Sequence, residues 1–168
     1  MSKMSKTAIL AFAFGAPNHI DPNNAIGVRA IYLALKCKAD IFSQNDVPVG
    51  SSANYAENYF PKKKYISTLD IIKNFAAETM RETKEASYQK VIIVAAPQHR
   101  QRCYRDLKKV LKKKGIEIGC IEMDDEEDFE TVWYDKNSTQ WWTRSWWQWW
   151  LREIPLRLLP WWLYKKIA

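Results

Sequence analysis

The chain has 168 residues, of which 47% are hydrophobic and 27% are charged, and its formal net charge is +7. These values suit one globular domain with one core and exclude a disordered or low-complexity chain. The positive balance allows an anionic partner, but basic residues usually lie on solvated faces, so nucleic acid receives low weight.

Cysteine usage and hydropathy bear on where the protein works. Cys37, Cys103 and Cys120 are odd in number and form no Cys-x-x-Cys pair, which argues against a disulfide framework and against a structural zinc site. The apolar run from Ala8 to Phe14 is too short for a signal peptide, and no apolar run reaches the roughly 20 residues that span a bilayer. We therefore expect a protein of the reducing cytoplasm, and the residues name neither a metal nor a cofactor.

The first strand is predicted over Thr7 to Phe14, an apolar run that Gly15 ends. The turn after a first strand often meets phosphate or sugar, so Gly15 and Asn18 are candidate ligand contacts, with plain turn roles as the alternative. No further glycines follow at the spacing of a dinucleotide-binding fingerprint. A helix is expected to follow to about Lys38, with Asp21 as its N-cap.

A second strand is predicted at Ala39 to Ser43, and Val47 to Lys64 has the composition of a loop. A second helix is predicted over Ser67 to Ala86, because Ser67-x-x-Asp70 resembles a capping box. Thr68 in its first turn is a candidate ligand contact, although such residues most often only cap the helix.

The most informative stretch is Val91 to Ala96 with the helix that follows Pro97. The run is apolar and rich in β-branched residues, as in a parallel strand covered on both faces. His99 and Arg102 therefore lie at the carboxyl end of a core strand and at a helix N-terminus, where open α/β sheets bind ligands. Arg102 offers a two-pronged fork for phosphate or carboxylate, and His99 can transfer a proton near neutral pH. We predict that both are catalytic residues of an anion site; the alternative is a structural histidine at a strand end.

A last strand is predicted at Glu117 to Met123. The acidic run from Asp124 to Asp128 is expected to be a solvated loop rather than a cation site, because its spacing lacks an EF-hand pattern. Strands and helices thus alternate along residues 1–138. This pattern predicts an α/β fold, a Rossmann-like three-layer sandwich with a mostly parallel sheet of four or five strands.

Residues 139–168 form a separate Trp-rich segment, with eight of the nine tryptophans between Trp141 and Trp162. On one helix, most of these rings share a broad apolar side opposite Arg152, and Glu153 projects from the middle of that side. Because a buried carboxylate needs a cation, Arg29 and Arg102 are its candidate partners. Two prolines, Pro155 and Pro160, are predicted to break the helix.

The Trp-rich segment has two interpretations. It packs on the sheet as a last core helix, or it lies on a membrane surface, because tryptophan flanked by Lys and Arg is typical of membrane interfaces. So many rings exceed what a small domain buries, so we expect partial contact of Trp141 to Trp162 with the inner face of the membrane or with a partner.

With these residues in place, the chain resembles the YdcF/SanA/ElyC-like family. Val91 to Arg102 is similar to the family's segment of a strand followed by His-x-x-Arg, with His99 and Arg102 in those two positions. Thr68 falls in a helix start similar to Ser/Asn-Thr-x-Glu, Arg29 falls where the family often has an arginine, and Glu153 resembles the late Arg-Glu helix. The resemblance implies a bacterial Rossmann-like domain of largely unassigned activity, implicated in cell-envelope biogenesis and often attached to the membrane.

Two functions are expected from these observations. The first is an enzyme or ligand-binding domain for a phosphorylated small molecule, a nucleotide-like ligand or a lipid-linked phosphate. Arg102 and Arg29 would clamp the anion, Thr68 and Gly15 would supply polar contacts, and Glu153 would orient an arginine. The second is a non-catalytic peripheral membrane or protein-interaction module that acts through the Trp-rich segment. Nucleic-acid binding ranks third, because no recognition motif is present.

Overall fold

The computed structural model describes residues 6–50, 54–55, 67–81, 88–124 and 133–167, and it has the predicted alternation of strands and helices. In chain order the elements are β1 (Thr7–Ala11), α1 (Asp21–Cys37), β2 (Asp40–Ser43), β3 (Asn54–Tyr55), α2 (Thr68–Arg81), β4 (Lys90–Val94), α3 (Pro97–Lys113), β5 (Cys120–Met123), a 3-10 turn (Trp141–Thr143), α4 (Trp146–Leu158) and α5 (Trp161–Ile167).

The strands form one parallel sheet in the order β3-β2-β1-β4-β5. At its centre Ile9 of β1 lies between Ile41 of β2 and Ile92 of β4. The chain adds strands to one side of β1 first and to the other side afterwards, so β1 and β4 are neighbours at the point where the order reverses. In open α/β sheets a crevice forms outside the carboxyl ends of the strands at that point.

Helices cover both faces of the sheet. One apolar cluster joins alternate residues of β1 and β4 to α2 and α3, and includes Leu10, Ile93 and Phe75. The other joins the remaining strand residues to α1 and to Trp149 of α4. Strand residues point alternately to the two faces, so both faces of the apolar strands are buried. The predicted Rossmann-like three-layer α/β fold is confirmed.

The strand bounds differ from the sequence prediction at several strands. The two-residue strand β3 falls inside the segment predicted as a loop, and β1 ends at Ala11 rather than at Phe14. Strand β4 ends at Val94 rather than at Ala96, and β5 begins at Cys120 rather than at Glu117. Phe14 is nevertheless buried, because it packs between the sheet and Trp149. An apolar run therefore indicates burial, and its length overestimates the length of the strand.

The two predicted helix starts have different outcomes. At α2 the capping box is confirmed: the Ser67 N–H donates to Asp70 Oδ2, and the Asp70 N–H donates to Ser67 Oγ, each over 3.2 Å. At α1 the prediction is wrong, since Asp21 is the first helical residue and no side chain caps the helix. Here the buried Asn23 holds the preceding turn, because its Oδ1 accepts from the Phe14 N–H over 2.8 Å.

The C-terminal segment is not one helix ended by Pro155. Helix α4 continues through Pro155 to Leu158, and Pro160 separates it from α5. Leu151, whose carbonyl loses its helical hydrogen bond at Pro155, is exposed, so water can satisfy that carbonyl. Whether residues 139–168 form a unit of their own stays a prediction. Among the described helices, none combines the length and apolar character needed to cross a bilayer.

The close packing around Gly15, in the turn after β1, predicts a measurable effect of substitution on stability. Gly15 has φ +102°, and a Cβ there would lie 2.8 Å from both Ser138 Oγ and Thr143 Oγ1. We expect Gly15→Ala to lower the free energy of unfolding by about 2–3 kcal/mol, measured by urea denaturation, because backbone strain adds to the collision. Gly115→Ala is the control, since Gly115 has φ +67° and nothing within 4 Å. It should lose only about 1 kcal/mol, and equal losses in the two variants would contradict a role for the collision.

Candidate functional site

A cleft of about 280 Å³ lies outside the carboxyl ends of the strands. The turn after β1, the residues after β2, the first turns of α2 and α3, and the C-terminal segment surround it. Its lining residues are Ala13, Phe14, Gly15, Gln44, Asp46, Ser67, Thr68, Leu69, His99, Arg102, Thr139, Gln140, Trp142, Thr143, Trp149, Arg152 and Tyr164. The cleft therefore occupies the crevice that the strand order predicts.

His99 and Arg102 lie side by side, because residues three apart share one face of a helix. Arg102 Nη2 is 2.9 Å from His99 Nε2, and Thr68 Oγ1 is 3.2 Å from the same nitrogen. A guanidinium N–H can only donate, so Nε2 accepts and the ring proton is assigned to Nδ1. Among the described residues, the buried Nδ1 has no hydrogen-bond partner.

His99 is held in its neutral form. Burial lowers its pKa well below the usual 6.5, and the positive charges of Arg102, Arg152 and Arg157 lower it further. The ring also packs edge-on against Trp149, with centroids 5.5 Å apart. A neutral imidazole whose Nε2 carries a lone pair is a hydrogen-bond acceptor and a proton acceptor, not an acid.

Glu153 anchors Arg102 from behind the cleft. Its side chain is 1% exposed, and its Oε2 lies 3.2 Å from Arg102 Nη1, while that arginine side chain is 5% exposed. Arg157, one helical turn further on, lies 3.0 Å from the other carboxylate oxygen. The predicted need of Glu153 for a cation is confirmed, and Arg102 is the predicted candidate that meets it. The pair joins α4 to α3, and so fixes the wall of the cleft.

Arg152 brings a second guanidinium to the cleft. The Cζ atom of Arg152 lies 4.5 Å from the centre of the Trp142 ring, and the guanidinium stacks over that ring. It forms no hydrogen bond or ion pair with another residue of the described ranges. Burial, followed by the charge of Arg102, lowers the pKa of Arg152 to about 10. Arg152 is thus a partly buried cation that forms no ion pair with a carboxylate of the described residues, and the neighbouring Arg102 shares its carboxylate with Arg157.

The predicted site residues divide into two groups. Gly15, Thr68, His99 and Arg102 line the cleft together, and Glu153 supports Arg102 without lining it. Their roles toward a ligand stay predictions.

Arg29 and Asn18 lie outside this cleft, and their roles toward a ligand stay predictions. Arg29 forms a two-pronged pair with Asp124 at 2.7 Å and 2.8 Å, so it neither lines the cleft nor contacts Glu153. Asn18 is exposed on the turn after β1 and also lies outside the cleft. The choice between two arginines for Glu153 depended on helix packing, which spacing along the chain does not report. Of the acidic run predicted as a solvated loop, residues 125–128 lie outside the described residues, and Asp124 is paired with Arg29.

Sequence reasoning missed several cleft residues, of which Arg152 and Asp46 are the charged ones. Periodicity along one straight helix predicts Arg152 on a polar side that faces away, whereas the structure places it at the cleft. A count of charges could have indicated Arg152, because residues 139–168 contain five basic residues and one acidic residue. Asp46 is not among the candidate residues that the sequence indicates.

Comparisons with known proteins give no relative. No protein-family model, curated protein or solved structure matches the chain. The resemblance to the YdcF/SanA/ElyC-like family therefore stays an expectation. Within the described ranges, no group of three His, Cys, Asp or Glu side chains is placed to hold a metal ion.

The environment of His99 predicts how stability depends on pH. The unfolded chain protonates His99 near pH 6.5, but the folded protein does so only well below that value. Stability from this group is therefore complete above about pH 6.5 and is lost as the pH falls toward the lowered folded pKa, by up to about 1.4 kcal/mol per pH unit. Urea denaturation from about pH 7.5 to about pH 5 should show a shallower loss in His99→Gln than in the wild type.

The second histidine provides the control for this measurement. His19 is exposed, so His19→Gln should keep the wild-type slope. If His99→Gln also kept the wild-type slope, His99 would not be the buried neutral group described above.

Proposed function

We propose that the protein binds a small phosphorylated ligand in the cleft at the carboxyl edge of its sheet. The observation that carries the proposal is the excess of positive charge there. Arg102 shares the buried Glu153 with Arg157, and Arg152 has no carboxylate partner among the described residues. Burying cations without anions is costly. A phosphate between the two guanidinium groups would remove that cost and accept several charge-assisted hydrogen bonds.

The proposal gives His99 the role of proton acceptor if the bound ligand reacts. Its Nε2 contacts both Arg102 and Thr68, so a phosphate that draws the Arg102 N–H away would free the Nε2 lone pair. The negative charge of the ligand would raise the pKa of His99 back toward its ordinary value. This role, the membership of the resembled family and a part in cell-envelope biogenesis rest on sequence expectations.

The first test is binding of inorganic phosphate and pyrophosphate, measured by calorimetry on the full chain. We expect wild-type protein to bind, and Arg152→Gln to bind roughly tenfold to a hundredfold more weakly, because a charge-assisted hydrogen bond contributes about 1.5–3 kcal/mol. Lys112→Gln removes an exposed cation at the far end of α3 and should leave the affinity unchanged. Equal weakening in both variants would indicate non-specific attraction and would overturn the proposal.

A second candidate function rests on an exposed apolar stripe along α4. Trp147, Leu151, Ile154 and Leu158 follow spacings of four, three and four residues, so they share one helix face, and they are 59%, 60%, 52% and 79% exposed. The buried face of the same helix carries Trp149, Glu153 and Leu156. The broad apolar side predicted from the sequence is therefore divided between two opposite faces. An apolar stripe on a surface helix is typical of a docking face.

We propose that this stripe contacts an anionic lipid surface. Trp146 on the same helix and Trp162 on α5 are exposed as well. Residues 139–168 have a formal charge of +4, from five basic residues and one acid, and that acid, Glu153, is fully buried. The solvent-facing charge is thus entirely positive in this segment. Amphipathic helices with tryptophan and basic residues lie at membrane interfaces and are attracted to anionic lipids.

Vesicle co-sedimentation tests the lipid proposal. Wild-type protein should sediment with vesicles that contain phosphatidylglycerol, and less with pure phosphatidylcholine. The double variant Trp147→Ala/Leu158→Ala should bind roughly tenfold or more weakly, because it removes two apolar side chains from the contact. Val28→Ala/Leu35→Ala is the matched control, since both residues are exposed on α1, and it should bind like the wild type.

Two results would contradict lipid binding through α4. One is unchanged sedimentation of the α4 double variant. The other is a wild-type protein that self-associates and does not bind vesicles, together with an α4 double variant that is monomeric. A second copy of the chain would then cover the stripe.

A further inference from the structure

Asp46 is the charged cleft residue to which the proposed function assigns no role. It follows the end of β2, where Gln44 Oε1 accepts the Ala13 N–H over 2.6 Å and so ties the end of β2 to the residues after β1. The Asp46 carboxylate lines the cleft and is half-buried. It forms no hydrogen bond or ion pair with any described residue, and burial raises its pKa above the ordinary value.

The cleft is therefore lined by charges of both signs. Arg102 and Arg152 come from α3 and α4, and Asp46 comes from the end of β2. An inorganic phosphate would satisfy the arginines, but it would repel the carboxylate. A ligand that suits all three groups carries an anionic group at one end and hydrogen-bond donors at the other, because an ionised carboxylate only accepts hydrogen bonds.

Size and shape narrow the choice of ligand. Small-molecule pockets usually measure about 300–1,000 Å³, so a cleft of about 280 Å³ suits one sugar phosphate and not a dinucleotide. Trp142, which is partly exposed, lines the cleft as well and offers apolar surface to the carbon skeleton of a sugar. In nucleotide-binding α/β sheets, a carboxylate at the end of the second strand accepts hydrogen bonds from ribose hydroxyls.

We propose that the ligand is a phosphorylated sugar with a vicinal diol, whose hydroxyl groups donate to Asp46 while its phosphate lies on Arg102 and Arg152. This assignment rests on the proposed anion site and adds the class of ligand to it. Asp46 is a specificity-determining residue in this arrangement, since it favours hydroxyl-bearing phosphates over the bare anion.

The experiment compares three probes by calorimetry in the presence of EDTA: inorganic phosphate, ribose 5-phosphate and 2-deoxyribose 5-phosphate. Wild-type protein should bind ribose 5-phosphate at least tenfold more tightly than phosphate, and the 2-deoxy compound should lose most of that preference. Asp46→Asn should reduce the preference for ribose 5-phosphate to about twofold and leave the affinity for inorganic phosphate unchanged or slightly higher. Asn45→Ala changes the exposed neighbour of Asp46 and should keep the wild-type preference.

The outcomes separate this inference from the proposed function. If no probe binds wild-type protein, the anion site itself is wrong. If phosphate binds through Arg152 but ribose 5-phosphate binds no better, or if Asp46→Asn weakens all three probes equally, the anion site stands and the role of Asp46 is overturned. A preference for ribose 5-phosphate that appears only when magnesium replaces EDTA would also overturn it, because Asp46 would then hold a cation.

Discussion

The ion pair between Arg102 and Glu153 determines how the C-terminal segment meets the sheet. Both side chains are almost completely excluded from water, and their charged atoms lie 3.2 Å apart. Removing two ions from water costs several kcal/mol each, about as much as the pair recovers when its geometry is good. Such a pair adds little net stability, but breaking it leaves a buried charge. In the docked position of helix α4 on α3, each of these two charges lies beside an opposite charge.

The other charges near the cleft depend on this pair. Arg102 and Arg157 share the carboxylate of Glu153, and Arg157 is the more exposed of the two. Burial and the neighbouring charges of Arg102, Arg152 and Arg157 disfavour a proton on His99, so the pKa of that ring is lowered. Tyr164 of α5 reinforces the docking, because its hydroxyl donates to Asp106, a fully buried residue on α3. Polar contacts thus attach the C-terminal segment, which lines the cleft, to α3.

The sequence was sufficient for the fold because the signals there are local. Runs such as Val91 to Ala96 are apolar at every position, and parallel strands buried on both faces require this pattern. His99 and Arg102 were found together because three residues on a helix fix their shared face, and Ser67 with Asp70 because a capping box has a fixed spacing. Glu153 was found because an acid among tryptophans conflicts with burial unless it is paired.

What sequence reasoning missed depends on packing between distant elements. Arg29 and Arg102 were equal candidates for Glu153, and the structure places Arg29 against Asp124 instead. Arg152 and Asp46 meet in one cleft although more than a hundred residues separate them. The sequence predicts one helix for the Trp-rich segment, but in the structure a 3-10 turn precedes α4. Because Glu153 is on the buried side of α4, the tryptophan on that side, Trp149, faces inward. Periodicity reports that a helix has an apolar side, but it does not report which side meets the core.

Helix α4 connects the two proposed contacts physically. Its inner side carries Glu153 and, beside the cleft, Arg152, while its outer side carries the stripe from Trp147 to Leu158. A phosphate that bridges Arg152 and Arg102 adds a contact between α4 and α3, and so stabilises the docked position of the helix. If the docked and undocked positions differ in lipid affinity, linkage requires that lipid changes phosphate affinity by the same factor. Phosphate binding on one face of α4 and lipid binding on the other would then be coupled. Tighter phosphate binding in the presence of lipid would indicate that the stripe contacts lipid in the docked position.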